Sequence, residues 1–227
     1  MTASARHRGF RRAKELSTSV ELIAPIGIAM SLVIATISYV AMSDLQVLST
    51  RLLVYPILWI ALSSFLVLYL YRRGPTIRAS KAAMLVGGGY FLLLAVVGGL
   101  LWPSHALLGH HHHGGGLTVH WAPPGWGPTV LYGNELVQLA VVPFKLIAFA
   151  ALAYGVAAAV AASSRGVVAG FLGLFSCVGC LLPLAAIVVG LVGSGSTSLA
   201  AIAGSYDIST VVFILTVVLL ATMIPTE

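Results

Sequence analysis

Residues 52–71, 82–103 and 166–193 contain no Asp, Glu, Lys or Arg. Uncharged apolar runs of that length constrain this chain more than any motif in it. A helix crosses a bilayer with about 20 such residues. Inside hydrocarbon, the backbone must satisfy its own hydrogen bonds, so a single apolar run has to be helical. Residues 20–42, 133–162 and 204–224 are nearly as apolar, broken only by Glu21, by Glu135 and Lys145, and by Asp207. The pattern predicts an all-α membrane protein, one integral membrane domain over 1–227. It would have about six transmembrane helices, at 20–42, 52–71, 82–103, 133–162, 166–193 and 204–224. The chain is 59% hydrophobic and only 8% charged. Soluble domains average about 25% charged residues, so an ordinary soluble domain is excluded.

The charges that remain sit at the helix ends. Of the 12 Lys and Arg residues, all but Arg51 and Lys145 fall in the tail 1–17, in the connection 72–81, or at Arg165. Basic residues in short loops mark the cytoplasmic side. The expectation is a multi-pass protein of the cell membrane with both termini cytoplasmic and a basic cytoplasmic tail over 1–17. The net charge of +6 is then a topology signal, and no nucleic-acid partner is expected. Thr18-Ser-Val-Glu21 reads as a capping box opening the first helix. The apolar run after it is too long for a signal peptide.

That orientation puts residues 104–132, the connection between helices three and four, on the extracytoplasmic side. The segment is rich in His, Gly, Pro and Trp. It holds six of the chain's seven histidines: His105, His110, His111, His112, His113 and His120. Neutral imidazole binds Cu(II), Zn(II) and Ni(II). In an extended segment, alternate members such as His110 and His112 share a side, and His105 or His120 could close a site from the two ends. The competing reading is a Gly-His tract that takes up metal adventitiously, or a pH sensor. Prolines in 121–128 exclude a regular helix, so the later half of the loop is expected to lie on the membrane surface. Trp102, Trp121 and Trp126 fit a belt at headgroup depth.

The chain's two cysteines, Cys177 and Cys180, lie in the fifth predicted helix at i and i+3, on one helix face. They are soft-metal ligands or redox thiols, or simply small apolar packing residues. Phe175-Ser-Cys177-Val-Gly-Cys180-Leu-Leu-Pro183, with Gly190-Leu-Val-Gly193 beyond it, resembles the cysteine-proline helix of small mercuric transport membrane proteins. More faintly it resembles thiol-disulfide interchange proteins of cytochrome c biogenesis. The first resemblance implies that Cys177 and Cys180 receive a soft metal within the bilayer, the second that they exchange disulfides. Both cover residues 175–193 only. The mercuric proteins have adjacent cysteines in a first helix, and the interchange proteins place theirs on two helices.

Lys145, twelve residues into the fourth predicted helix, is expected near mid-membrane, where an ionisable residue is a functional candidate. It could lower a thiol pKa at Cys177 or Cys180, or pair with a carboxylate. Glu135 and Asp207, near the outer helix ends, are secondary candidates, with Asp207 opening the sixth helix. Glycines at 87–89, 98 and 99 read as close helix packing. No nucleotide motif is present, and no complete catalytic constellation, so enzyme activity is not expected. The leading reading is a metal-handling membrane protein with copper favoured and zinc next, either a transporter or an assembly factor for a respiratory metalloenzyme. It would work with a metal chaperone or other membrane subunits. The alternatives are a non-catalytic accessory subunit and a thiol-disulfide carrier.

Overall fold

A computed structural model of the chain describes residues 3–43, 50–73, 81–103, 116–134, 137–162 and 199–223. The described part is mostly helical. Helix α1 runs over Ala3–Met42, α2 over Thr50–Arg73, α3 over Lys81–Val97, α4 over Pro143–Ala162 and α5 over Leu199–Met223. Three stretches are long and apolar enough to cross a membrane: Ile23–Met42, Thr50–Arg72 and Pro143–Ala162. The predicted fifth helix, 166–193, lies outside the described residues.

Helix α2 is central and packs against α1, α4 and α5, while α3 packs on the other side of α4. Leu66, Leu70, Leu94, Phe144, Leu152 and Val217 form the buried centre. The α3–α4 contact is close because Gly87 has no side chain. A Cβ there would stand 2.9 Å from that of Ala157, so the small residue sets the helix separation. Polar groups of α2 find partners inside the bundle. The Trp59 indole donates to Thr210 Oγ1 at 3.0 Å, and Ser63 Oγ donates to the Trp59 carbonyl at 2.7 Å.

The all-α expectation needs correction between α3 and α4. Four strands stand there: β1 (Leu101–Pro103), β2 (Gly116–His120), β3 (Thr129–Gly133) and β4 (Val137–Val141). They form one antiparallel sheet in the order β1-β4-β3-β2. Hydropathy predicts a third helix reaching residue 103, but α3 stops at Val97. Gly99 adopts φ +74°, and the Leu100 amide reaches back to the Ala95 carbonyl at 2.8 Å while the Gly99 amide reaches Val96 at 3.2 Å. This is a glycine-terminated Schellman end. The fourth helix is predicted from 133 but starts at Pro143, a residue suited to the first helical position because it has no N–H to leave unpaired. Short apolar runs such as Val137-Gln-Leu-Ala-Val141 suit strand and helix alike, and pairing with β3 decides for strand. The basic tail is also helical from Ala3 onward.

Candidate functional site

Side chains from four separated parts of the chain meet where the sheet joins the bundle. The organising feature is Pro56, inside α2. Proline has no amide hydrogen, so the Leu52 carbonyl one turn earlier loses its helical donor. The Trp126 indole N–H takes that place, donating to Leu52 O at 2.6 Å. Gly125 lies directly on the proline. Its φ is +93°, and a Cβ on it would fall 2.5 Å from Pro56 Cβ. The Gly125 carbonyl in turn accepts the Phe144 amide at 3.1 Å, satisfying one of the free donors at the start of α4. The loop before β3 is thus fitted between a defect in α2 and the first turn of α4.

Aromatic rings extend this contact. Trp126 meets Phe144 edge-on at 4.7 Å and Tyr206 at 5.5 Å. Tyr206 stacks on Tyr55 at 6.0 Å. Deeper in the bundle, Trp59 stacks on Phe213 at 4.5 Å and meets Phe144 edge-on at 5.5 Å. Charged groups lie around this stack. The Asp207 carboxylate accepts the Tyr55 hydroxyl and pairs with the Arg51 guanidinium at 3.4 Å. Lys145 Nζ donates to the Gly98 carbonyl at 3.4 Å and stands 5.5 Å from the Tyr206 ring centroid, within cation–π range. Arg51 and Asp207 are 73% and 45% exposed, so their attraction is screened and weak.

Two sequence expectations change here. Lys145 falls in the first turn of α4 rather than twelve residues into it, because the helix starts ten residues later than the predicted 133. A cation there opposes the helix dipole, and its counterpart is the carbonyl at the C-terminal end of α3. Asp207 does not open its helix. It lies about two turns in from Leu199 and bonds sideways to α2. Trp126 is an internal anchor, whereas Trp121 is exposed. Of the histidine candidates, His120 is described, exposed at the end of β2. His105, His110, His111, His112, His113, Cys177, Cys180 and Glu135 lie outside the described residues. Among the described residues, no group of three or more His, Cys, Asp or Glu side chains could hold a metal. Sequence reasoning misses the roles of Tyr55 and Pro56; a proline one turn after Leu52 is the available signal.

A family model described as a family of unknown function, DUF7546, matches residues 2–226. The chain belongs to DUF7546. No curated protein and no solved structure matches this DUF7546 chain. The match covers helices, sheet and loop alike, so every residue of the junction lies within the family's region. Among the described residues, the junction brings Arg51, Lys145 and Asp207 together with a ring stack. The hydrogen bonds of Trp126 to Leu52, of Phe144 to Gly125 and of Tyr55 to Asp207 hold α2, α4, α5 and the loop before β3 in register.

Proposed function

We propose that this DUF7546 protein is a six-helix protein of the cell membrane, both termini cytoplasmic, that binds a transition metal through its extracytoplasmic histidines. Copper is favoured, since imidazole takes Cu(II) and the thiolates of Cys177 and Cys180 suit Cu(I). The protein would act as a transporter or as an assembly factor for a respiratory metalloenzyme. One observation carries the reading. Strands β1 and β2 are the two outer strands of the sheet, and the stretch between them, 104–115, contains His105 and His110 to His113. The histidine run is therefore tied at both ends to a sheet that Trp126 and Gly125 hold on the bundle. Tethering of this kind favours a binding role over a free tail.

Elemental analysis of tag-free protein tests it. Stoichiometric copper or zinc is expected in the wild type after a mild chelator wash. It should be lost when His110 to His113 are all replaced by Asn, and reduced in Cys177→Ser/Cys180→Ser. Background metal in the loaded wild type sinks the proposal.

A second reading, an accessory subunit of a membrane complex, is favoured by α1. Ile23, Ile26, Met30, Ile34 and Ile37 are exposed at spacings that form one stripe. On that reading a co-purifying membrane partner is lost when members of the stripe such as Ile26 and Ile34 become Ala, and metal content is irrelevant to it.

A further inference from the structure

The sheet has two unlike faces. Cross-strand partners place their side chains on the same side, and Leu117 pairs with Tyr132, Val119 with Val130. Tyr132 pairs in turn with Leu139, and Val130 with Val141. One face is therefore apolar over three strands. The other is mixed, carrying Thr118, His120, Thr129 and Gln138 alongside Leu131 and Ala140. Leu117 is 65% exposed and Val119 48%, and Trp121, just past the end of β2, is 79% exposed. The described strands contain no Asp, Glu, Lys or Arg.

We propose that the apolar face of this sheet lies in the headgroup–acyl boundary of the bilayer that the helices cross. This rests on the membrane reading above. Three observations select lipid as the occupant. The sheet leaves α3 at Leu100 and enters the membrane-length α4 immediately after Val142, so its near edge is held at the level of the helix ends. Those helix ends carry exposed apolar residues of their own, Val96, Leu146 and Ile147. The exposed aromatics, Trp121 and Tyr132, are the types that settle at headgroup depth. A charge-free sheet with one apolar face and polar groups gathered on the other is the strand counterpart of an interfacial amphipathic helix. It leaves His120, on the more polar face, turned to water.

Spin labels test this in full-length Cys177→Ser/Cys180→Ser protein in phosphatidylcholine vesicles. Leu117→Cys, Thr118→Cys, Val119→Cys and His120→Cys are labelled one at a time, with Leu85→Cys in α3 as the helix control. Relaxation by oxygen reports lipid, and relaxation by chromium oxalate reports water. The expected result is alternation. Labels at 117 and 119 respond several-fold more to oxygen, relative to chromium oxalate, than labels at 118 and 120, and the label at 85 behaves as lipid-exposed. Equal response to chromium oxalate at all four strand positions, with 85 still in lipid, overturns the sheet proposal and leaves the membrane reading standing. Chromium oxalate access at 85 overturns both. Labels at 117 and 119 shielded from both reagents mean that protein covers the face, which also overturns it. Dipolar coupling that disappears on dilution with unlabelled chain would identify that cover as a second copy. An independent measurement keeps the native cysteines: brominated lipid should quench wild-type tryptophan emission more than that of Trp121→Phe, and equal quenching counts against the proposal.

Discussion

Gly99 and Gly125 both hold a positive φ, but only Gly125 is also pressed against a neighbour. An L side chain in the left-handed region costs about 1–2 kcal/mol. Gly99→Ala meets nothing within 4 Å, so that strain is its whole expected cost. Gly125→Ala adds a collision with Pro56 and should lose roughly 1–3 kcal/mol more, read as a larger fall in the melting temperature of detergent-purified protein. Equal losses would show that the loop does not sit on the proline. The Trp126–Pro56 relation makes a sharper prediction. Trp126→Phe keeps a ring but leaves the Leu52 carbonyl without its donor, at a cost of about 1–3 kcal/mol. Pro56→Ala restores an amide to that carbonyl, so Trp126→Phe should cost less in the Pro56→Ala background. A double-mutant cycle measures the difference, and strict additivity would refute the substitution of one donor for the other.

At the scale of elements, the informative places are the helix ends. Residues 98–103 and 133–141 adjoin long apolar runs and interrupt them with only one charge, Glu135, so a hydropathy reading extends α3 and α4 through them. Two local features end the helices: the left-handed Gly99 and the N–H-free Pro143. Both are visible as letters, but glycine is also ordinary helix packing in lipid, and proline occurs inside α1 and α2 as well. Which proline starts a helix depends on what its neighbours pair with. The shift matters for Lys145, which becomes a link from the start of α4 to the end of α3. Its long hydrogen bond and its contact with Tyr206 offset an unfavourable dipole, so Lys145→Met should change stability by about 1 kcal/mol or less. Arg51→Ala should likewise cost about 0–1 kcal/mol, because the pair with Asp207 is exposed. Chemical denaturation of the purified protein checks both, and a loss of several kcal/mol at Lys145 would mean that the ammonium is buried far more deeply.

For the whole molecule, the expected orientation has a direct check. In intact cells, an impermeant maleimide should label Thr118→Cys and leave Ser80→Cys unlabelled, both in the Cys177→Ser/Cys180→Ser background; the reverse pattern would put the histidines in the cytoplasm. The sequence by itself determined that the chain is mostly helical and carries helices long and apolar enough to cross a membrane, because the cost of placing a charge or an unpaired amide in hydrocarbon is local and is read residue by residue. It also marked the histidine run and the cysteine pair as candidates for metal-binding chemistry, by residue type alone. Only the tertiary structure decided that a sheet joins α3 to α4, since its strands are stabilised by one another and short apolar runs do not declare their pairing. The junction was hidden for the same reason. The carbonyl that Pro56 leaves unpaired needs a donor, and the donor is Trp126, brought to it only when α2, α4 and the loop before β3 have packed together.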